Sequence, residues 1–177
     1  MRNPFKRAVD VPAEVVTRAG VARGERVLAG TRAADGSWLV GTRAALLVVP
    51  PERAEPNLRV PWERVETADW DRDEDRLRVT EVGEFGRVRP VHVFTIAEPG
   101  QLLTLVRERV TASVVLQRRV VVAGRQGFFV VARRPPTGTG EIVWAYEFDA
   151  GVDPDDPEVR RLAEAGLRAA AEELGGL

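Results

Sequence analysis

The sequence predicts an α+β fold in which about seven short antiparallel strands are capped by a helix and followed by a three-stranded antiparallel meander and a C-terminal helix. Three observations carry this. From Gly24 to Leu77, short apolar runs are broken by turn signals, with tryptophans at 38, 62 and 70. Between Leu102 and Val114, apolar residues recur at three- and four-residue spacing. Beyond residue 116 the pattern returns to short β-runs and ends in a second helical period.

The elements are justified in chain order. Asp10, Val11, Pro12 and AEVVTRAG predict a short helix with Asp10 as N-cap, Pro12 in the first turn and Gly20 as stop. Arg26 to Ala33 and Trp38 to Val49 flank the turn Asp35–Gly36, and Gly41 to Arg43 splits the second run into two strands. Ala44 to Val49 is apolar on both faces, which predicts burial on two sides. Pro50 to Pro56, rich in proline and charge, reads as an exposed loop before Leu58 to Trp62. Val65 to Asp71 and Arg76 to Val82 pair across the charged tip Arg72 to Asp75, and Val88 to Ile96 completes seven strands. Pro99 and Gly100 open a helix with Leu102, Leu103, Val106, Val110, Ser113 and Val114 inward.

Strands at Arg119 to Ala123, Gly127 to Arg133 and Glu141 to Phe148 form the meander. In the last of these Ile142, Trp144, Tyr146 and Phe148 alternate with Glu141, Val143, Ala145 and Glu147, predicting one buried and one wet face. The final helix has Asp156 as N-cap, Pro157 at the first helical position and Val159, Leu162, Ala163, Leu167, Ala170 and Leu174 inward. This organisation gives a lead-in over 1–20, a first domain over 21–115 and a meander with its helix over 116–177.

Composition narrows the chemistry. A chain of 177 residues with 44% hydrophobic content can build a core without metal or disulfide support. There is no cysteine, which excludes disulfides, thiolate nucleophiles and cysteine zinc sites. The net charge of −1 gives no overall pull toward nucleic acid or anionic lipid. No signal-peptide or membrane-length apolar run occurs, so a cytoplasmic location is expected. Lys6 is the sole lysine, an arginine bias expected of GC-rich bacterial coding.

The order of seven short strands and one amphipathic helix resembles the pleckstrin-homology-like superfamily, including bacterial PH-like and GRAM-type domains. The likeness covers roughly residues 20 to 115. It rests on Gly24, Glu25, Arg26, Val27 and Leu28 opening the first strand, on Leu39 to Arg43 with Leu46 and Leu47, and on Val60 to Val65. The resemblance implies a bent antiparallel β-sandwich or barrel, with binding of a protein or peptide along a sheet edge or beside the helix. Phosphoinositide-binding members use Lys and Arg around the first hairpin loop. Here that loop is Ala33 to Ser37, with Asp35 in it and only Arg32 nearby, a poor phosphate cradle.

Other constellations carry little chemistry. Asp69, Asp71, Asp73, Glu74 and Asp75 begin like a calcium loop, but Glu74 stands where glycine is needed and Thr80 where the bidentate glutamate belongs. A solvated hairpin tip is expected. His92 is the only histidine and has no serine or cysteine neighbour to activate, so it reads as structural. Gly138 to Gly140 lack the lysine and following helix of a phosphate loop. No catalytic, metal or cofactor site is assigned.

Arg118, Arg119, Arg125, Arg133 and Arg134 fall in a span, 116–134, that contains no acid and includes Phe128 and Phe129. Two readings stay open. The arginines form a partner-binding surface for nucleic acid or anionic lipid, or they pair with the C-terminal segment, where 141–177 holds ten acids and three arginines. The functional expectation is a non-enzymatic binding or scaffolding protein of the bacterial cytoplasm that recognises a protein or peptide. The alternative is nucleic-acid or anionic-lipid binding through the 118–134 hairpin.

Overall fold

The computed structural model describes residues 11–51 and 56–175. Asp10 and the centre of the 50–56 loop lie outside the described residues. The elements run α1 (Ala13–Ala19), β1 (Val27–Arg32), β2 (Trp38–Thr42), β3 (Ala45–Val49), β4 (Leu58–Pro61), a 3-10 turn (Trp62–Arg64), β5 (Val65–Asp71), β6 (Arg76–Glu81) and β7 (Val91–Thr95). They continue with α2 (Leu102–Ser113), β8 (Val114–Ala123), β9 (Gln126–Arg133), β10 (Val143–Phe148) and α3 (Pro157–Gly175). The fold is α+β, and the ten strands among the described residues make three antiparallel sheets, each a meander in sequence order: β1 to β4, β5 to β7, and β8 to β10.

Turn chemistry sets these hairpins. Gly36 sits at φ 90° and Asp35 Oδ1 accepts the Ser37 N–H at 2.9 Å, closing the β1–β2 turn. The split between β2 and β3 is held by Thr42, whose hydroxyl donates to the Glu25 carboxylate and accepts the Ala44 and Ala45 N–H groups. Glu25 thus has a local task, bracing the bend from the start of β1.

The main core lies between the first two sheets and α2. Leu39, Leu46, Val60, Trp62, Val65, Leu77, Val79 and Ile96 meet Leu102, Leu105 and Val106 there. Helix α2 rides so close to β2 that a Cβ on Gly41 would lie 2.5 Å from Leu105 Cδ2. The opposite face of the first sheet is also covered: Val15 and Ala19 of α1 pack on Val40, Ala45, Leu47 and Val49. This is why Ala44 to Val49 is apolar on both faces. On the third sheet, α3 lays Val159, Ala163 and Ala170 over Phe128 and Val130. Gly166 permits that approach, because a Cβ there would meet Val120 Cγ2 at 2.8 Å and Val130 Cγ2 at 3.2 Å.

Several boundaries differ from the sequence expectation. Pro12 is the N-cap of α1 rather than a first-turn residue, while Gly20 stops the helix in the left-handed region as expected. β8 begins at Val114, with no loop after α2, so Val114 is an exposed strand residue and not an inward helical one. The apolar run Val114 to Leu116 suits either period, and strand pairing with Ala132 and Arg133 decides it. At the C-terminal helix Asp156 caps as expected, its Oδ1 accepting the Glu158 N–H at 2.7 Å and the Val159 N–H at 3.3 Å.

The face of β10 expected to be wet is instead partly dry. Ala145 is buried against Val82 and Val131, with Phe129 and Val143 beside them. There the meander docks onto the end of β6. Phe85, in the β6–β7 connection, reaches further and sets its ring edge-on to Tyr146 at 5.1 Å and Phe148 at 5.6 Å.

Candidate functional site

The five arginines of 116–134 do not share one surface. Arg118 and Arg119 are neighbours on β8 and so point to opposite faces. Arg118 reaches Glu173 of α3 at 3.0 Å, an exposed pair worth about 0–1 kcal/mol. Arg119 grips both carboxylate oxygens of Asp149 at 3.0 and 2.5 Å, donates to the Arg125 carbonyl, and lies 4.8 Å from the Phe129 ring centre. Asp149 also accepts the Gly127 N–H at 2.9 Å. The Arg119 hydrogen bond holds the Asp149 carboxyl below its ordinary range. Arg125 is exposed, and its side chain has no partner among the described residues. Arg134 is half-buried, and its Nε has no hydrogen-bond partner among the described residues. Phe128 is fully buried under α3, so it is not available to stack on a base.

Arg133 is buried at 3% exposure and is the hub of a polar joint between the meander and the strands before it. It donates to Ser113 Oγ at 3.0 Å, to the Glu66 carbonyl at 2.9 Å, and to Glu147 and the Val110 carbonyl, both at 3.4 Å. Glu66, itself buried, takes a 2.7 Å ion pair from Arg89, and Arg89 donates at 2.7 Å to the Tyr146 carbonyl. An ion pair that short ordinarily lowers a carboxyl pKa. Here burial pushes Glu66 up from 4.5, with the charge of Arg89 opposing it.

A pH signature follows from that rise. The native protein holds the Glu66 proton more tightly than the unfolded chain does, so this residue favours the fold most below its unfolded value. The contribution is lost as pH climbs from 4.5 through the folded value. Glu66→Gln removes the titration, and its stability relative to the parent is expected to improve steadily as pH rises across this window. Urea unfolding at several pH values checks this; a difference independent of pH contradicts it.

The acidic tip is a turn device: Asp71 Oδ1 accepts the N–H groups of Asp73 and Glu74 at 3.0 and 3.1 Å. No group of three or more metal-ligating side chains converges among the described residues. His92 Nε2 lies 2.6 Å from Glu81 Oε1 across neighbouring strands.

A different place in the fold is open. Along β5, Ala68 and Trp70 face Leu103, Val106 and Val110 of α2 across a groove of about 430 Å³ floored by Leu77 and edged by Arg107 and Thr111. β5 is an edge strand. The Glu81 N–H bonds the Pro90 carbonyl and the Ile96 N–H bonds the Asp75 carbonyl, so the odd-numbered residues of β6 turn their backbone groups toward β7. The even-numbered ones, Arg76, Arg78 and Thr80, turn toward Asp71, Asp69 and Thr67 of β5. By alternation, the N–H and C=O of Ala68 and Trp70 lie on the unpaired side of β5. The Glu66 carbonyl, at the end of the same edge, is the one Arg133 uses. Arg107 is exposed and makes no ion pair among the described residues.

The helical period at 102–114 marks Leu103 and Val110 as inward, yet both border this groove and only partly fill the core. What the period misses is Arg107 on its rim, since an exposed arginine in an arginine-rich chain carries no distinguishing signal. No helix among the described residues is long and apolar enough to cross a membrane. No family model, no curated protein and no solved structure matches this chain.

Proposed function

We propose that this chain is a non-catalytic binding protein of the bacterial cytoplasm, and that its 21–115 portion is a PH-like domain that takes an extended segment of a partner protein along β5. The observation that supports the reading best is the coincidence, at Ala68 and Trp70, of open backbone groups with apolar side chains lining the α2 groove. An added antiparallel strand gains main-chain hydrogen bonds at these two residues, and its alternate side chains enter the groove. Arg107 on the rim favours a ligand that carries an acidic residue beside its apolar anchor. The PH-like assignment draws support from the order of four strands, three strands and one helix.

Binding through the 118–134 hairpin has less behind it, because Arg118, Arg119 and Arg133 are paired with acids of the same chain. Selection from a library of extended peptides tests the favoured reading. Selected peptides are expected to combine apolar residues at alternate positions with Asp or Glu, and Arg107→Glu is expected to switch the preference to Lys or Arg. Peptides with no such pattern, or binding indifferent to Arg107→Glu, would count against it.

A further inference from the structure

The two edges of the third sheet differ. On the β10 edge the Tyr146 carbonyl accepts from Arg89 at 2.7 Å. On the other edge runs β8, 10 residues long, with no strand beyond it among the described residues. The Asp149 N–H bonds the Gly127 carbonyl, so the odd-numbered residues of β9 turn their backbone groups toward β10. The even-numbered ones, Phe128, Val130 and Ala132, turn toward Val120, Arg118 and Leu116 of β8. By alternation, the N–H and C=O of Gln117 and Arg119 lie on the free side of β8. The ladder with β9 is regular from Leu116 to Val121 and shifts register at either end.

Read outward from Arg118, this strand is self-complementary. Gln117 and Arg119 flank the centre, followed by Leu116 and Val120, Val115 and Val121, and Val114 and Val122. Paired antiparallel with its own copy about Arg118, β8 therefore sets apolar residues against apolar ones on both sides of a polar middle. The nearest registers that keep the open backbone groups in phase lose this match. Centring on Arg119 sets Gln117 against Val121 and Arg118 against Val120, and centring on Gln117 sets Arg119 against Val115 and Arg118 against Leu116. The match also covers Val115 and Val121, which are 39% and 56% exposed in the single chain.

Arginines on an edge ordinarily oppose such pairing. Here both are matched by acids. Arg119 reaches across the sheet to Asp149 at 2.5 Å, and Arg118 meets Glu173 of α3 at 3.0 Å. About a two-fold axis at Arg118, two guanidiniums and two Glu173 carboxylates come together and their charges cancel. The helices leave room for this. Gly166 approaches both Val120 and Val130, so α3 straddles β8 and β9, and the two α3 helices stand about 10 Å apart, two strand spacings and a normal distance for packed helices. Ala169 and Ala165, one and two turns before Glu173, are small on that flank.

We infer that this chain forms a two-fold dimer in which β8 pairs antiparallel with β8 of a second copy, centred on Arg118. Gln117 of each copy exchanges main-chain hydrogen bonds with Arg119 of the other, and the two three-stranded sheets become one. This interface uses a different edge from the β5 groove and stands or falls independently of it.

Sedimentation equilibrium of the full chain is expected to show a monomer–dimer equilibrium with a dissociation constant below about 100 μM. Arg118→Glu, at an exposed position, gathers four carboxylates about the axis and is expected to weaken association at least about tenfold. Combining it with Glu173→Arg restores the charge balance and is expected to recover the parent value to within about threefold. Hydrogen exchange locates the contact: the Gln117 and Arg119 amides slow about tenfold from monomeric to dimeric concentrations, while Arg118 and Val120, already turned toward β9, change little. Because the chain has no cysteine, single thiols report the register. Arg118→Cys lies about 4.5 Å from its mate between Cα atoms and cross-links on oxidation, whereas Val121→Cys, about 20 Å from its mate, does not. Four results each overturn the inference: a monomer at every concentration up to about 1 mM, a dimer in which Gln117 and Arg119 exchange as fast as in the monomer, natively folded Arg118→Glu associating as tightly as the parent, or Val121→Cys cross-linking as readily as Arg118→Cys.

Discussion

Trp62→Ala is expected to cost about 3–5 kcal/mol of stability, the usual range for removing a large aromatic from a core. Trp62 has 0% exposure and sits in the 3-10 turn that carries the chain from the first sheet to the second. Its ring packs in the cluster shared by both sheets and α2, and its Nε1–H donates to the Thr42 carbonyl at 3.0 Å. Alanine therefore leaves a cavity and also orphans a carbonyl in the β2–β3 bend. With total stabilities of about 5–15 kcal/mol, that loss unfolds a large fraction of the protein under mild denaturant. Trp62→Phe separates the two contributions. It keeps most of the packing but loses the donor, at a cost of about 1–3 kcal/mol. Urea unfolding measures both, and a loss below about 1 kcal/mol for the alanine variant contradicts the assignment of Trp62 as the keystone of this corner.

Arg133→Ala is the second large effect, expected at about 3–5 kcal/mol because it breaks a buried charged network from one side. The guanidinium serves Ser113, the Glu66 carbonyl and Glu147 together, and its removal leaves these acceptors without a donor near the carboxylate of Glu66. Arg133→Lys is expected to recover little of the loss, since a single ammonium cannot reproduce the planar fork that spans α2, β5 and β10. Arg118→Ala provides the internal control. Its exposed pair with Glu173 predicts a change within about 1 kcal/mol. Similar losses for the two alanine variants would show that Arg133 is not the bolt between the meander and the rest of the chain.

Much of the fold is legible in the sequence because local signals agree with the tertiary outcome. The two-sided apolar run at Ala44 to Val49 implied cover on both faces, and α1 and α2 supply it. Asp35–Gly36, Gly20 and Asp156 mark a hairpin, a helix stop and a helix start through their own backbone chemistry. Failures cluster where the meander meets the earlier strands. Ala145 and Val143 read as wet because small or isolated apolar residues between glutamates carry no sign of which neighbour will cover them. Arg133 is equally opaque: nothing in a run of like-charged arginines singles out the one that will be buried by Glu66, a residue 67 positions away. The candidate groove was legible only in part. Its apolar walls follow from the periods of β5 and α2, whereas the open edge of β5 depends on which strands fail to pair.

The most direct test of the proposed function is hydrogen exchange at the Ala68 and Trp70 amides, read by NMR with and without a saturating selected peptide. Strand addition along β5 predicts that these two amides slow by about tenfold or more on binding, while Thr67 and Asp69, already turned toward β6, change little. Saturation with the peptide while Ala68 and Trp70 exchange as fast as in the free protein would contradict strand addition at β5.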